Sequence, residues 1–341
     1  TPAIGPTSET ISGSTSPKDL EQFFKLLYLQ ITHPNSKELP RAFESVKTRL
    51  SAVLANREKA PGSVFQDAID KAMFGDHPRH QPLDIESLEQ MDAELSLEIF
   101  KDRFQNAGDF TFVFVGSIDL DELRGYVERY IASLPTRKGP AESARDLGDQ
   151  PAPGRLTVDV SKGLEEKTSV RVYFNGEAEW SPENRYALAF ARGLLSIRLR
   201  EALREESGGV YGVSVFGSLG RLPTATYSTG FAFSCDPGNA EMLVRLGLME
   251  IISLQENGPR PENVQKVREL HLREHERGLK ENGFWLSNLA VMVREERDFS
   301  EILEFEERVK AFDPAAAQQA AIDYFDMQNL LIAYLRPEYK E

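Results

Sequence analysis

At 341 residues the chain is long enough for two domains, and 40% hydrophobic with 28% charged residues is an ordinary globular composition, neither disordered nor membrane-embedded. A formal charge of −14 argues against nucleic acid and anionic membrane surfaces as partners, and the acidic residues are spread along helical stretches as solvated faces. No apolar run approaches the roughly 20 residues of a membrane span, and Cys235, alone of its kind, excludes an intrachain disulfide and reads as a small buried hydrophobe.

Thr7–Ser14 has the pattern of a short strand. Ser16-Pro17-Lys18-Asp19 then supplies a cap and a proline for a helix over 17–31, with Leu20, Phe23, Phe24, Leu27, Tyr28 and Ile31 on one face. A second helix is expected from Pro40 to Arg57, with a stripe of Phe43, Val46, Leu50 and Leu54, and a third from Val64 to Phe74 after the Pro61-Gly62 break. Gly75–Pro82, with His77 and His80 beside Asp76, is a surface loop, with a loose metal site as the alternative. Ile85 to Phe104 is expected helical, Phe110–Val115 a buried strand, and Asp119–Ser133 an amphipathic helix capped by Asp119.

Four prolines and three glycines with few large apolar residues mark 135–154 as a linker. Beyond it, Arg155–Val160 and Ser169–Asn175 alternate as strands do, and Ser181-Pro182 opens a long helix to Glu206. Val210–Leu219 and Thr224–Cys235 form an antiparallel pair. Helices follow from Pro237 to Leu254, from Pro261 to Gly278, through Trp285, and from Pro314 to Tyr324, and the strand Leu330–Leu335 closes the sheet. The expected class is α+β, with helices packed on one face of a mixed, mostly antiparallel sheet.

The chain half-repeats itself at an offset of 220 residues, with no gap needed between 16–65 and 236–285. Ser16-Pro17 meets Asp236-Pro237, Leu50 meets Leu270, Arg57 meets Arg277, Phe65 meets Trp285, and Phe110–Val115 meets Leu330–Leu335. That period is too long for a solenoid and marks a duplicated domain. The expected division is 1–134 as the second half of one copy, truncated at its N-terminus, 135–154 as linker, and 155–341 as a complete copy. Half a domain cannot close a core alone, so the polypeptide is expected to extend N-terminal of Thr1.

Closed by Asp109-Phe-Thr-Phe-Val-Phe-Val-Gly-Ser-Ile-Asp119, this half-repeat resembles the pitrilysin/insulinase family of zinc metallopeptidases (inverzincins). Leu203-Arg204-Glu205-Glu206-Ser207-Gly208-Gly209-Val210-Tyr211 is similar to the R-x6-Y element of that family's C-terminal half, carried here by Arg204 and Tyr211. Glu281-Asn-Gly-Phe-Trp285 resembles the penultimate region of the same half. The resemblance implies a duplicated peptidase-like domain, the C-terminal half lacking the zinc domain. It also implies that Arg204 and Tyr211 bind substrate and the transition state. On residue chemistry alone, Arg204 ends a helix where a cation meets the last carbonyls, Gly208-Gly209 turns the chain, and Tyr211 starts a strand. Two such donors converging on one spot suit a carbonyl oxygen that gains charge in acyl transfer; a capping Arg and a half-buried strand Tyr are the plainer alternative.

His271-Leu-Arg-Glu274-His275 spells H-x-x-E-H, the inverzincin zinc motif. It is expected to be coincidental. The family's third ligand is a Glu farther downstream than the 66 residues that follow His275. The family's zinc helix corresponds to 182–206, which holds no His, and the repeat sets His271 and His275 opposite Ser51 and Ala55. The resemblance therefore implies no catalytic residue and no cofactor in this chain alone, with zinc in an N-terminal catalytic half. That half, in the same polypeptide or as a separate subunit, and a peptide substrate are the implied partners. The resemblance inclines the compartment toward a bacterial periplasm. A non-catalytic scaffold or assembly subunit of the same fold is the alternative.

Overall fold

The computed structural model describes residues 1–341 except 35, 36, 138, 140–142, 207–209, 211 and 339–341, with the side chains of 204–206 also outside the description. Among the described residues, a hairpin of β1 (Pro2–Ile4) and β2 (Glu9–Ile11) precedes α1 (Leu20–Thr32), α2 (Leu39–Leu54), α3 (Pro61–Phe74), α4 (Ile85–Glu89), α5 (Ala93–Phe104) and α6 (Leu120–Tyr126). There follow β3 (Arg155–Ser161), β4 (Thr168–Glu177), α7 (Pro182–Glu206), β5 (Val213–Gly220) and β6 (Thr226–Cys235). The chain ends with α8 (Ala240–Asn257), α9 (Pro261–Gly278), α10 (Asn282–Arg294), α11 (Phe305–Ala311), α12 (Pro314–Tyr324) and β7 (Leu330–Arg336).

The 220-residue offset survives in three dimensions as element starts. Single 3-10 turns open both copies at Pro17–Asp19 and Pro237–Asn239, Leu20 begins α1 where Ala240 begins α8, and Ile85 begins α4 where Phe305 begins α11. Side-chain caps set several starts. Asp119 accepts from the amides of Asp121 and Glu122 at α6, and Asp313 accepts from Ala315 at α12. Asp92 likewise accepts from Leu95 at 2.7 Å, and this cap breaks the expected helix 85–104 into α4 and α5.

By contacts the chain forms two compact units, each discontinuous in sequence: 1–55, 83–145 and 277–302 in the first, and 56–82, 146–276 and 303–341 in the second. The interleaving obeys the repeat. Segments 56–82 and 277–302 stand at nearly the same place in the two copies, and each lies with the other copy's remaining elements. One change of unit falls at 145/146, and α3 belongs to the second unit and α10 to the first.

In the first unit, Phe24 of α1 is fully buried, its ring 5.2 Å from Phe114 and 5.5 Å from Tyr126. Phe110–Val115, expected as a buried strand, is not one: it forms no ladder, and none of its residues is fully buried. The strands described in this unit, β1 and β2, pair with each other, and a segment of strand composition needs a neighbour to become a strand.

The second unit holds a five-stranded sheet in the order β3-β7-β4-β6-β5, with β3 and β7 parallel and the other pairs antiparallel. On one face, Val170, Val172 and Phe174 of β4 and Phe231 and Phe233 of β6 pack against α7, α8 and α12 in the main core. Helix α7 brings Leu188, Phe190, Leu194, Leu195, Leu199 and Leu203 to that core, each at most 1% exposed. Helix α8 comes close enough to the sheet that a Cβ on Gly247 would meet the Phe231 ring at 2.7 Å. The opposite face is not bare. Phe65, Ile69 and Met73 of α3 pack on Val158, Leu331 and Ala333 there. Among the described residues no helix is long and apolar enough to cross a membrane.

Candidate functional site

Tyr211 and the side chain of Arg204 lie outside the described residues. The elements that carry them do not. Ser181 Oγ accepts from the Asn184 amide at 3.0 Å, starting α7, and Leu199 and Leu203 bury its far end. Arg198, 6% exposed, donates from Nε to Glu250 at 2.8 Å and from Nη2 to Ser253 Oγ at 2.5 Å, tying the last turns of α7 to α8. A buried guanidinium without such partners would cost several kcal/mol, so this pair locks the helix rotation. Arg192 donates to the Gly217 carbonyl of β5, and Val210 packs against the main core. Strand β5 is held along its length by β6, from Val213 opposite Phe233 to Gly220 opposite Thr226. Residues 204–211 therefore join two anchored elements, the end of α7 and the edge strand β5.

The H-x-x-E-H residues sit on α9. His271 is turned into an aromatic nest: its Nδ1 stands 3.2 Å from the Tyr186 hydroxyl, and its ring lies edge-on to Tyr186 and Phe190, 5.7 and 5.6 Å away. Burial pushes the Tyr186 pKa well above the phenolic range, so its hydroxyl stays protonated in that pair, and the imidazole tautomer sets the direction of the bond. Burial holds His271 below the usual imidazole value, and it acts on His275, against the Phe305 ring at 4.7 Å, in the same direction. Neutral imidazoles are what this apolar setting favours. Among the described residues no trio of metal-ligating atoms includes His271, Glu274 or His275.

One such trio does form: His77, His80 and Asp149, with one ligand atom from each within 4.8 Å of the others. Asp76, the acid next to these histidines in sequence, pairs with Lys71 instead. Asp149 comes from the linker, more than sixty residues on, and no local pattern announces it. A cavity of about 430 Å³ between α7, α11 and α12 has a floor including Ala187, Phe312 and Ala320 and carboxylates of Glu183, Asp313 and Asp323 around it. Cys235 is fully buried, and burial pushes its thiol pKa up to about 11.

A zinc protease PQQL-like protein of Arabidopsis thaliana is 28% identical over 290 residues, which cover 80% of this chain and 30% of that protein. The crystal structure of the periplasmic protease PqqL from Escherichia coli superposes with a TM-score of 0.81 at 20% identity, over 97% of this chain and 37% of that one. A mutant of the ferredoxin protease FusC, solved in complex with Arabidopsis ferredoxin, superposes with a TM-score of 0.78 at 17% identity, over 95% of this chain and 35% of its own. The chain thus spans about a third of the length of these relatives. The family model described as the peptidase M16 inactive domain matches residues 92–270, just over half of the chain. With the duplicated α+β fold and that match together, the chain belongs to the M16 peptidase family, as its inactive domain.

Proposed function

We propose that the chain is the C-terminal, metal-free half of a zinc-dependent metalloendopeptidase of clamshell type. In this reading residues 1–134 are the later half of one peptidase-family domain, 135–154 a linker and 155–341 a complete non-catalytic domain. The observation that carries the proposal is the inactive-domain match, in a chain that aligns with one third of proteins named zinc proteases. The catalytic zinc belongs to the N-terminal half. His271, Glu274 and His275 are packing residues of α9 in this reading, and no step of the chemistry runs through them.

The contribution of this half is to bind peptide and hold the scissile carbonyl in place. Arg204 and Tyr211 are the donors proposed to meet the oxygen as it gains charge. What supports that role is the anchoring of the flanking elements, α7 by Arg198 and β5 by Arg192, since an electrostatic role of this kind works best from a rigid frame. The E. coli relative is named as periplasmic, and the same compartment is proposed here.

The deciding experiment mixes this chain with its cognate N-terminal half, from the same polypeptide or a separate subunit, and follows cleavage of a peptide. Cleavage by the mixture but by neither part alone, abolished by chelator, supports the division of labour. Chelator-sensitive cleavage by this chain alone refutes it, and an inactive mixture whose N-terminal half carries a degenerate zinc motif shows a scaffold.

A further inference from the structure

We infer that His77, His80 and Asp149 form a Zn²⁺-binding clip, independent of the peptidase chemistry, that fastens the loop after α3 to the linker segment entering β3. Pro78–His80 is a single 3-10 turn capped by His77, and the two imidazoles stand with ring centroids 5.8 Å apart. The His80 ring is stacked on Phe74, centroids 3.5 Å apart and planes within 7°, so its direction is fixed. Its Nε2 is buried with no hydrogen-bond partner and stands 3.5 Å from Asp149 Oδ2.

That spacing is informative. A charge-assisted hydrogen bond would draw the pair to about 2.7–2.9 Å. Two ligands about 2.0–2.1 Å from a tetrahedral zinc ion stand roughly 3.4 Å apart. A buried imidazole nitrogen left without a partner is costly, and a cation between it and the carboxylate satisfies both.

His77 carries the outer-sphere arrangement of a ligating histidine. Its Nδ1 accepts from the Arg79 amide at 3.3 Å, so in the neutral ring Nε2 bears the proton and donates to the Leu147 carbonyl at 3.2 Å. That bond fixes the tautomer and ties the ring to the same linker segment that supplies Asp149. The Arg79 amide bond is long, and a cation would displace it. Two neutral imidazoles and one carboxylate are the nitrogen–oxygen set that suits Zn²⁺, with water as the fourth ligand. Arg79 Nη1, 3.8 Å from Asp149 Oδ2, puts a second cation beside the carboxylate and weakens the site. The expected affinity is therefore below that of a closed structural zinc site.

The test uses the 341-residue chain purified without a histidine tag, stripped with chelator and titrated with Zn²⁺ against a chromophoric chelator. Co²⁺ is substituted to read the ligand field. The expected result is one equivalent bound with a tetrahedral Co²⁺ spectrum. Asp149→Asn and His77→Gln, both at half-buried positions, are each expected to weaken binding at least ~10-fold, as loss of a ligand or its support does. The double variant His271→Gln/His275→Gln is expected to retain the equivalent. Failure to bind one equivalent, binding unchanged by Asp149→Asn and His77→Gln, or loss of the equivalent only in the His271/His275 variant would each overturn the proposal. None of these outcomes depends on peptidase activity.

Discussion

Phe65→Ala tests whether a helix from the first copy of the repeat belongs to the core of the second unit. Phe65 is 1% exposed and packs, with Ile69 and Met73, against Val158, Leu331 and Ala333 of β3 and β7. The Arg171 guanidinium of β4 lies 5.2 Å from its ring centroid, and Arg171 Nη1 is held by Gln66 Oε1 at 2.6 Å. Truncating a buried Phe costs about 3–5 kcal/mol, and loss of a partly exposed cation–π contact adds about 0.5–1 kcal/mol. A combined loss of roughly 3.5–6 kcal/mol is a large fraction of the ~5–15 kcal/mol that holds a domain folded. Two units need not unfold together, so the assay must report location. Hydrogen exchange read by mass spectrometry is expected to show lost protection in β3, β7 and α3. Phe24→Ala, fully buried in the first unit, is expected to expose α1 and α6 instead. If Phe65→Ala costs less than ~1 kcal/mol, below any buried-Phe truncation, or deprotects the same peptides as Phe24→Ala, the assignment of α3 to the second unit is wrong.

On the proposed role, Tyr211→Phe in the proposed two-half enzyme is expected to lower kcat by roughly 10²–10³ with little change in peptide binding, since one oxyanion donor would be lost; turnover within about threefold of wild type would refute that role. His271 has a pKa depressed by burial below 6.5, so the unfolded chain binds more protons as the pH drops. Its stabilising effect is present above pH 6.5 and is lost as pH falls toward the folded value. His271→Gln keeps a partner for the Tyr186 hydroxyl and is expected to flatten the acid side of a urea-midpoint profile; unchanged slopes would show that His271 is not held neutral by its surroundings. Cys235 is expected to resist thiol reagents in the native protein and to react on denaturation, because a thiol pushed up to about 11 and fully buried offers almost no accessible thiolate; rapid native-state labelling would contradict the packing of β6.

Local chemistry was legible where a few adjacent residues suffice. Ser181, Asp119 and Asp313 announce helix starts because a cap bonds an amide only two or three residues away. The 220-residue offset was visible because duplicated elements keep their starts even after their side chains diverge, as Pro17 and Pro237 do. The family was legible for the same reason, in the order of motifs. What failed or was silent depended on partners far along the chain. Phe110–Val115 and Leu330–Leu335 carry the same apolar pattern, yet only the latter has β3 and β4 beside it and becomes a strand. The His271 motif is spelled correctly in sequence, but the aromatic rings of α7 decide what its imidazole faces. Asp149 reaches His80 across the linker, and α3 and α10 stand in units opposite to their places in the sequence. Periodicity states that a helix has an apolar face. Which surface covers that face is decided by the global competition to remove apolar area from water, and that is settled only in the folded chain.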